Sequence, residues 1–202
     1  RIPFIIYENN LHIGKANKYL LPLAKKMLVS YKELEGVNKK YILKTIEIGN
    51  IIRNEILQFK PLTQNKNQDL INIIVIGGSQ AAKVFAEILP EIFKKCKDEN
   101  IKLKIYQQCL SSQKEKLEKD YRDLNIDCEI FNFNLNLLSY FDKIDLAITR
   151  SGSSMLAELL NCCIPFISIP FKFSADNHQL KNAKFYEKKK YGFLVKENEI
   201  SE

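Results

Sequence analysis

The chain has 202 residues, enough for one large or two small domains, and its 46% hydrophobic content supports a packed core and excludes a disordered chain. The net charge of +7 is uneven: residues 1–70 carry 12 Lys/Arg against 6 Asp/Glu, and the remainder is nearly neutral. A basic first third points to an acidic partner such as anionic lipid, a phosphorylated substrate or nucleic acid, or else to a lysine-rich solvated surface.

In chain order, Ile2-Pro-Phe-Ile-Ile-Tyr7 is an apolar run of strand length, expected as a buried parallel strand. Its polar end, Glu8-Asn9-Asn10, sits where open α/β sheets place ligands. Ile13 to Ala24 reads as a helix burying Leu20, Leu21 and Leu23, with Pro22 weakening its second half. Short strands are expected at Lys26–Ser30 and Thr45–Gly49. The segment 58–70 is polar, holds Pro61 and lacks periodicity, so it reads as a linker between domains 1–57 and 71–202.

Beyond it the pattern is regular. Strands are predicted at Leu70–Ile76, Ile101–Tyr106, Asp127–Phe131, Ile144–Thr149 and Pro165–Ile169. Helices are predicted at Ala81–Lys95, Ser112–Leu124, Leu135–Phe141, Ser153–Leu160 and Asn177–Lys190. This alternation implies an α/β chain with a right-handed parallel sheet covered by helices on both faces.

Three polar loops then follow strands. Gly77-Gly78-Ser79-Gln80 is neither the GxGxxG dinucleotide fingerprint nor a P-loop. It falls one residue short of the GxSxG nucleophile elbow, leaving an α/β-hydrolase reading with Ser79, His178 and Asp176, although an Asp two residues from the His is badly placed for that fold. Asp145-Leu-Ala-Ile-Thr-Arg-Ser-Gly-Ser-Ser-Met-Leu-Ala-Glu158 is a strand, a tight turn and a helix start, a ready seat for a phosphate. It serves equally as an ordinary connection with Ser153 as N-cap. Lys172 to Gln179 is the third loop, and a parallel sheet would bring all three to one edge.

Cys96, Cys109, Cys128, Cys162 and Cys163 show no CxxC spacing and no histidine cluster, so reduced thiols in a cytosolic protein are expected. There is no DxD or HExxH motif, so no metal held by side chains is expected. No apolar run approaches the ~20 residues of a membrane span. A signal peptide is not visible, and a chain beginning on a strand without Met is expected to be part of something longer.

With these motifs in order, the sequence resembles the MurG family of bacterial transferases along essentially all 202 residues. The resemblance rests on Gly77-Gly-Ser-Gln-Ala-Ala82, on Asp145–Gly152 with Glu158, and on Ile169-Pro-Phe171 with Asp176-Asn-His-Gln179 and Asn182-Ala183. Tyr7-Glu-Asn-Asn10 and Gly49-Asn-Ile-Ile-Arg53 match the family's HEQN and GNPVR stretches in position.

The resemblance implies a GT-B fold: two Rossmann-like parallel sheets with helices on both faces, the first domain truncated. Residues 1–57 would belong to the acceptor domain and 71–202 to the UDP-sugar donor domain. The activity implied is inverting transfer of GlcNAc from UDP-GlcNAc to lipid I, giving lipid II, with another GT-B glycolipid transferase as the alternative. The implied substrate-binding residues are Asn10, Arg53, Ser79, Asn134, Ser153, Ser154, Met155, Glu158 and Gln179. No cofactor, metal or nucleic acid is implied. The catalytic base is expected upstream of Arg1. An anionic membrane surface, on the cytoplasmic face of the bacterial inner membrane, is the implied peripheral partner. Tyr7 and Asn9 replace the His and Gln of HEQN, Ile51 replaces the proline of GNPVR, and Ala81 replaces a glycine.

Overall fold

The computed structural model describes residues 2–60, 69–77, 79–132 and 137–200. Two parallel sheets form. The first has strands β1 (Ile5–Glu8), β2 (Lys26–Val29) and β3 (Thr45–Glu47) in that order. The second has β4 (Leu70–Ile76), β5 (Lys102–Gln108), β6 (Asp127–Phe131), β7 (Leu146–Thr149), β8 (Phe166–Ser168) and β9 (Phe193–Leu194), ordered β6-β5-β4-β7-β8-β9. The helices are α1 (Lys15–Leu20), α2 (Asn54–Leu57), α3 (Ser79–Asp98), α4 (Lys114–Asp123), α5 (Leu138–Phe141), α6 (Ser153–Asn161) and α7 (His178–Lys188).

β4 is the pivot of the second sheet. Side chains alternate across a strand, and both faces of β4 are buried. Ile73 and Val75 pack with Phe85, Leu89 and Phe93 of α3 and with Leu117 and Tyr121 of α4. Ile74 and Ile76 face Phe141 of α5, Leu156 and Leu159 of α6, and Tyr186 of α7. Each such side chain contributes ~1.5–3 kcal/mol on burial, which is why an unbroken Ile/Val run forms this central strand. The second of these cores also takes in Leu11, Tyr31 and Ile56 from the first sheet's side.

Four expectations need correction. Among the described residues β1 pairs only with β2, in parallel as expected, but it is not sealed: Ile5 is 58% exposed. The helix expected to Ala24 stops at Leu20, because Pro22 has no N–H to continue the ladder; Leu21 is buried while Leu20 and Leu23 face out. α7 starts at His178, after Asp176 and Asn177 at φ 51° and 53°, a left-handed region incompatible with a helix. Finally, β9 was not anticipated: it adds to β8 through only two paired residues.

Candidate functional site

In the order β6-β5-β4-β7-β8-β9 the connections run one way from β4 and the other way from β7. The crevice at that switch point, beyond the carboxyl ends of β4 and β7, is where open α/β sheets bind ligands. Gly77 leaves β4 there, and Arg150-Ser-Gly152 leaves β7. Gly77 N–H donates to the buried Gln108 Oε1 at 3.2 Å, pinning the turn to the end of β5. Ser79 opens α3; its side chain and the whole of Asn134 lie outside the described residues, so those two expectations are not placed.

α6 begins at the crevice. Its N-cap, Gly152, is extended and offers no side-chain cap. Leu156 N–H is the first to close back, onto the Gly152 carbonyl. The N–H groups of Ser153, Ser154 and Met155 therefore have no intrahelical acceptor, and the helix dipole favours an anion beside them. Their side chains do other work. Met155 packs against the core. Ser154 Oγ accepts from Asn9 Nδ2 at 3.3 Å. Ser153 is 2% exposed, and its hydroxyl lies against the Asn9 carbonyl, Asn50 Oδ1 (3.0 Å) and Tyr31 OH (2.8 Å).

Two expected site residues meet each other. Arg53 Nε donates to Glu158 Oε1 at 3.0 Å and its Nη2 to Oε2 at 2.8 Å, a bidentate pair between the first sheet's last loop and α6. The bond to Glu158 raises the Arg53 pKa further, securing its charge. The Arg53 side chain is 45% exposed and the Glu158 side chain 10%, so the pair opens to the crevice on the arginine side.

Asn10 and Gln179 are also placed. Asn10 Nδ2 donates to Glu8 Oε1 and Asn9 Oδ1, and its Oδ1 accepts from Asn182 Nδ2. Gln179 Oε1 accepts from Phe171 N–H at 2.9 Å and holds the loop between β8 and α7. That loop carries the two left-handed residues, 176 and 177, the kind of backbone strain that collects at functional loops. His178 Nδ1 bonds the Ala175 carbonyl at 2.7 Å rather than a carboxylate, so the described contacts do not form a hydrolase triad.

Three residues outside the implied substrate-binding set hold this end together. Glu8, almost fully buried, accepts from Asn10 N–H, Gly14 N–H and Asn17 Nδ2 and shapes the loop after β1. Asn182, wholly buried, accepts from Leu11 N–H and donates to Asn10 Oδ1 and the Ser151 carbonyl. Arg150 lies between Phe85 and Phe171, 4.8 and 5.5 Å from their ring centres, donates to the Ile169 carbonyl at 3.2 Å, and pairs with Glu197. A polar residue buried on a helix face leaves no sign in the hydrophobic pattern, and Asn182-Ala183 was marked only as part of the family resemblance.

Among the described residues no group of three or more His, Cys, Asp or Glu is placed to hold a metal ion. An open groove of about 630 Å³, lined by Leu160, Cys163, Pro165, Tyr191 and Phe193, lies at the amino edge of the second sheet and is apart from the crevice.

A model of the glycosyltransferase family 28 C-terminal domain matches residues 72–202. The chain is 38% identical over 202 residues to a Pelagibacter ubique (strain HTCC1062) protein, covering 100% of this chain and 56% of that one. It is 36% identical over 205 residues to one from Rickettsia bellii (strain RML369-C), covering 100% and 58%. Both are named UDP-N-acetylglucosamine--N-acetylmuramyl-(pentapeptide) pyrophosphoryl-undecaprenol N-acetylglucosamine transferase. The chain thus spans little more than half the length of these relatives. Among solved structures, Acinetobacter baumannii MurG matches with a TM-score of 0.76 at 23% identity, over 98% of this chain and 54% of that one. The glycotransferase of kitacinnamycin matches at 0.60 and 17%, over 92% and 45%. These likenesses establish the fold as the GT-B type.

Proposed function

The chain belongs to glycosyltransferase family 28, and from that premise we propose that the protein moves GlcNAc from UDP-GlcNAc to lipid I, with inversion, to make lipid II of peptidoglycan. The observation that carries the proposal is that relatives similar over all of this chain bear that transferase's name. In this reading residues 71–202 bind the donor, 1–57 form part of the acceptor side, and 58–70 join them.

The chemistry of the crevice supports a nucleoside-diphosphate sugar. Negative charge grows on the departing diphosphate. The N–H groups of Ser153, Ser154 and Met155 lie ready for it, with Arg53 as the nearby cation. A helix terminus supplies at most ~2 kcal/mol, whereas enzymes lower barriers by ~8 kcal/mol or more. Positioning of the sugar by Gln179, Asn10 and Ser79, and of the ribose by Glu158, supplies a large part of the rest. We assign recognition of the base to the main chain around Asn134. The acceptor hydroxyl needs a general base, and we assign that role to no described residue.

The polyprenyl acceptor lies in a membrane, and the first sheet has a surface to suit. Tyr19, Leu23, Ile42 and Leu43 are exposed, and Lys18, Lys25, Lys39 and Lys40 surround them in the chain. Apolar residues ringed by cations bind anionic lipid surfaces. None of the described helices is long and apolar enough to cross a membrane, and we place the protein peripherally on the cytoplasmic face of the inner membrane.

Calorimetric titration of UDP-GlcNAc into the full-length protein is the test. Saturable binding is expected, weakened by about 10- to 100-fold in Glu158→Ala, the size of ~1.5–3 kcal/mol for a charged hydrogen bond. Equal affinity for UDP-glucose, or none for either sugar nucleotide, would sink the proposal.

A further inference from the structure

Resting on the nucleotide-sugar reading of the α6 end, we infer that the Ser153 hydroxyl is a positioning group, a tie that fixes the first sheet's loops over the start of α6 and so holds Arg53 against Glu158. A hydroxyl has one proton to give and two lone pairs. Here Tyr31 OH, Asn50 Oδ1 and the Asn9 carbonyl all lie within hydrogen-bonding distance of it, in a position 2% exposed. These partners come from three separate segments, each more than a hundred residues away in sequence. The one Ser153 hydroxyl proton is shared between the Asn9 carbonyl and Asn50 Oδ1 while its oxygen accepts from Tyr31 OH, so the hydroxyl is spent on protein contacts and cannot turn to an anion without breaking them. The anion at α6 is left with main-chain N–H groups.

The consequence for Arg53 is geometric. Asn50 and Arg53 lie three residues apart on one loop, roughly 10 Å when extended. Ser153 and Glu158 lie five residues apart on α6, about 7.5 Å along its axis. Ser153–Asn50 and Glu158–Arg53 are therefore two attachments between the same two segments. With one attachment the loop pivots. With two, its distance and its angle to α6 are both set. The Ser153 end is buried and the Arg53 end is half-exposed, so the buried tie governs where the exposed cation stands when a diphosphate competes for it.

The test uses the full-length protein, with UDP binding by calorimetry and steady-state kinetics with the UDP-GlcNAc donor. Ser153→Ala and Asn50→Ala are each expected to weaken UDP binding and raise the donor KM by about tenfold, with kcat within about twofold, as loss of a bond of ~1–1.5 kcal/mol gives. Arg53→Ala is expected to cost less affinity in the Ser153→Ala background than in the wild type, because the untied arginine is already misplaced. Should Ser153→Ala fail to fold, Asn50→Ala with the same Arg53→Ala cycle carries the test. An unchanged donor KM with a lowered melting temperature, or strictly additive costs in the cycle, would overturn the inference while leaving the donor site intact. A wild type that ignores UDP takes down both the inference and the function on which it rests.

Discussion

The two sheets bury themselves by different means. β4 has residues of both faces sealed, Ile74 and Val75 completely, between α3 and α4 on one side and α5, α6 and α7 on the other. The first sheet has a small core of its own, Ile13, Leu21, Met27 and Val29, and leaves Ile5, Tyr19, Leu23 and Leu43 in contact with solvent. Its remaining anchorage is borrowed: Tyr31, Leu11 and Ile56 enter the second sheet's core, and Asn182, Ser153 and the Arg53–Glu158 pair tie its loops to α6 and α7. One sheet is held by apolar area, the other largely by docking and by polar contacts at the crevice. The end proposed to bear the ligand is thus the seam between the sheets.

The sharpest way to break this contrast is a pair of truncations. Ile74→Ala is expected to cost ~2–5 kcal/mol by denaturant unfolding, as fully buried isoleucines do, while Ile5→Ala in β1 stays within ~0.5 kcal/mol. Equal costs would mean that the first sheet is as tightly packed as the second. At the seam, Asn182→Ala removes three bonds and leaves the Leu11 N–H without its acceptor. A loss of ~1–3 kcal/mol is expected, and a loss below ~0.5 kcal/mol would show the sheets to be docked by apolar contact alone.

On the exposed face of the first sheet, Lys39→Glu with Lys40→Glu should leave the denaturation midpoint unchanged. The same pair should weaken sedimentation with phosphatidylglycerol vesicles by tenfold or more, at ~1 kcal/mol per basic residue near a membrane. Unaltered vesicle binding would make those lysines simple solvation. The smallest effect concerns the thiols after α6. Cys163 is exposed and Cys162 buried, with burial pushing Cys162 up to about 11. At pH 8 only about one Cys162 in a thousand is ionised, so iodoacetamide should label Cys163 and spare Cys162 until the protein unfolds. Below pH 9 the Cys162 thiol is protonated whether folded or unfolded. Above pH 9 the unfolded chain loses that proton first, so stability declines slightly from pH 9 to about 11. A rise over that window would contradict the burial.

The sequence alone located the strands of the second sheet apart from β9. Short apolar runs and intervening helical patterns placed β4, β6 and α6 within a residue or so, because strands sealed on both faces and helices with one apolar stripe are written in local hydrophobicity. It also marked the three polar loops at one edge, and it singled out Arg53 and Glu158 through their motifs. What it left open was everything that depends on two distant segments meeting. The exposure of Ile5 in β1 follows from which strands pair, and the end of α1 from competition between a proline and a hydrophobic pattern. That Arg53 and Glu158 bond to each other, that the Ser153 hydroxyl is consumed by Tyr31, Asn50 and Asn9, and that Asn182 is a buried bridge were decided by tertiary structure alone. The physical reason is that a polar side chain carries no periodic signature: whether it faces water, a ligand or a partner a hundred residues away is set only when the sheets dock.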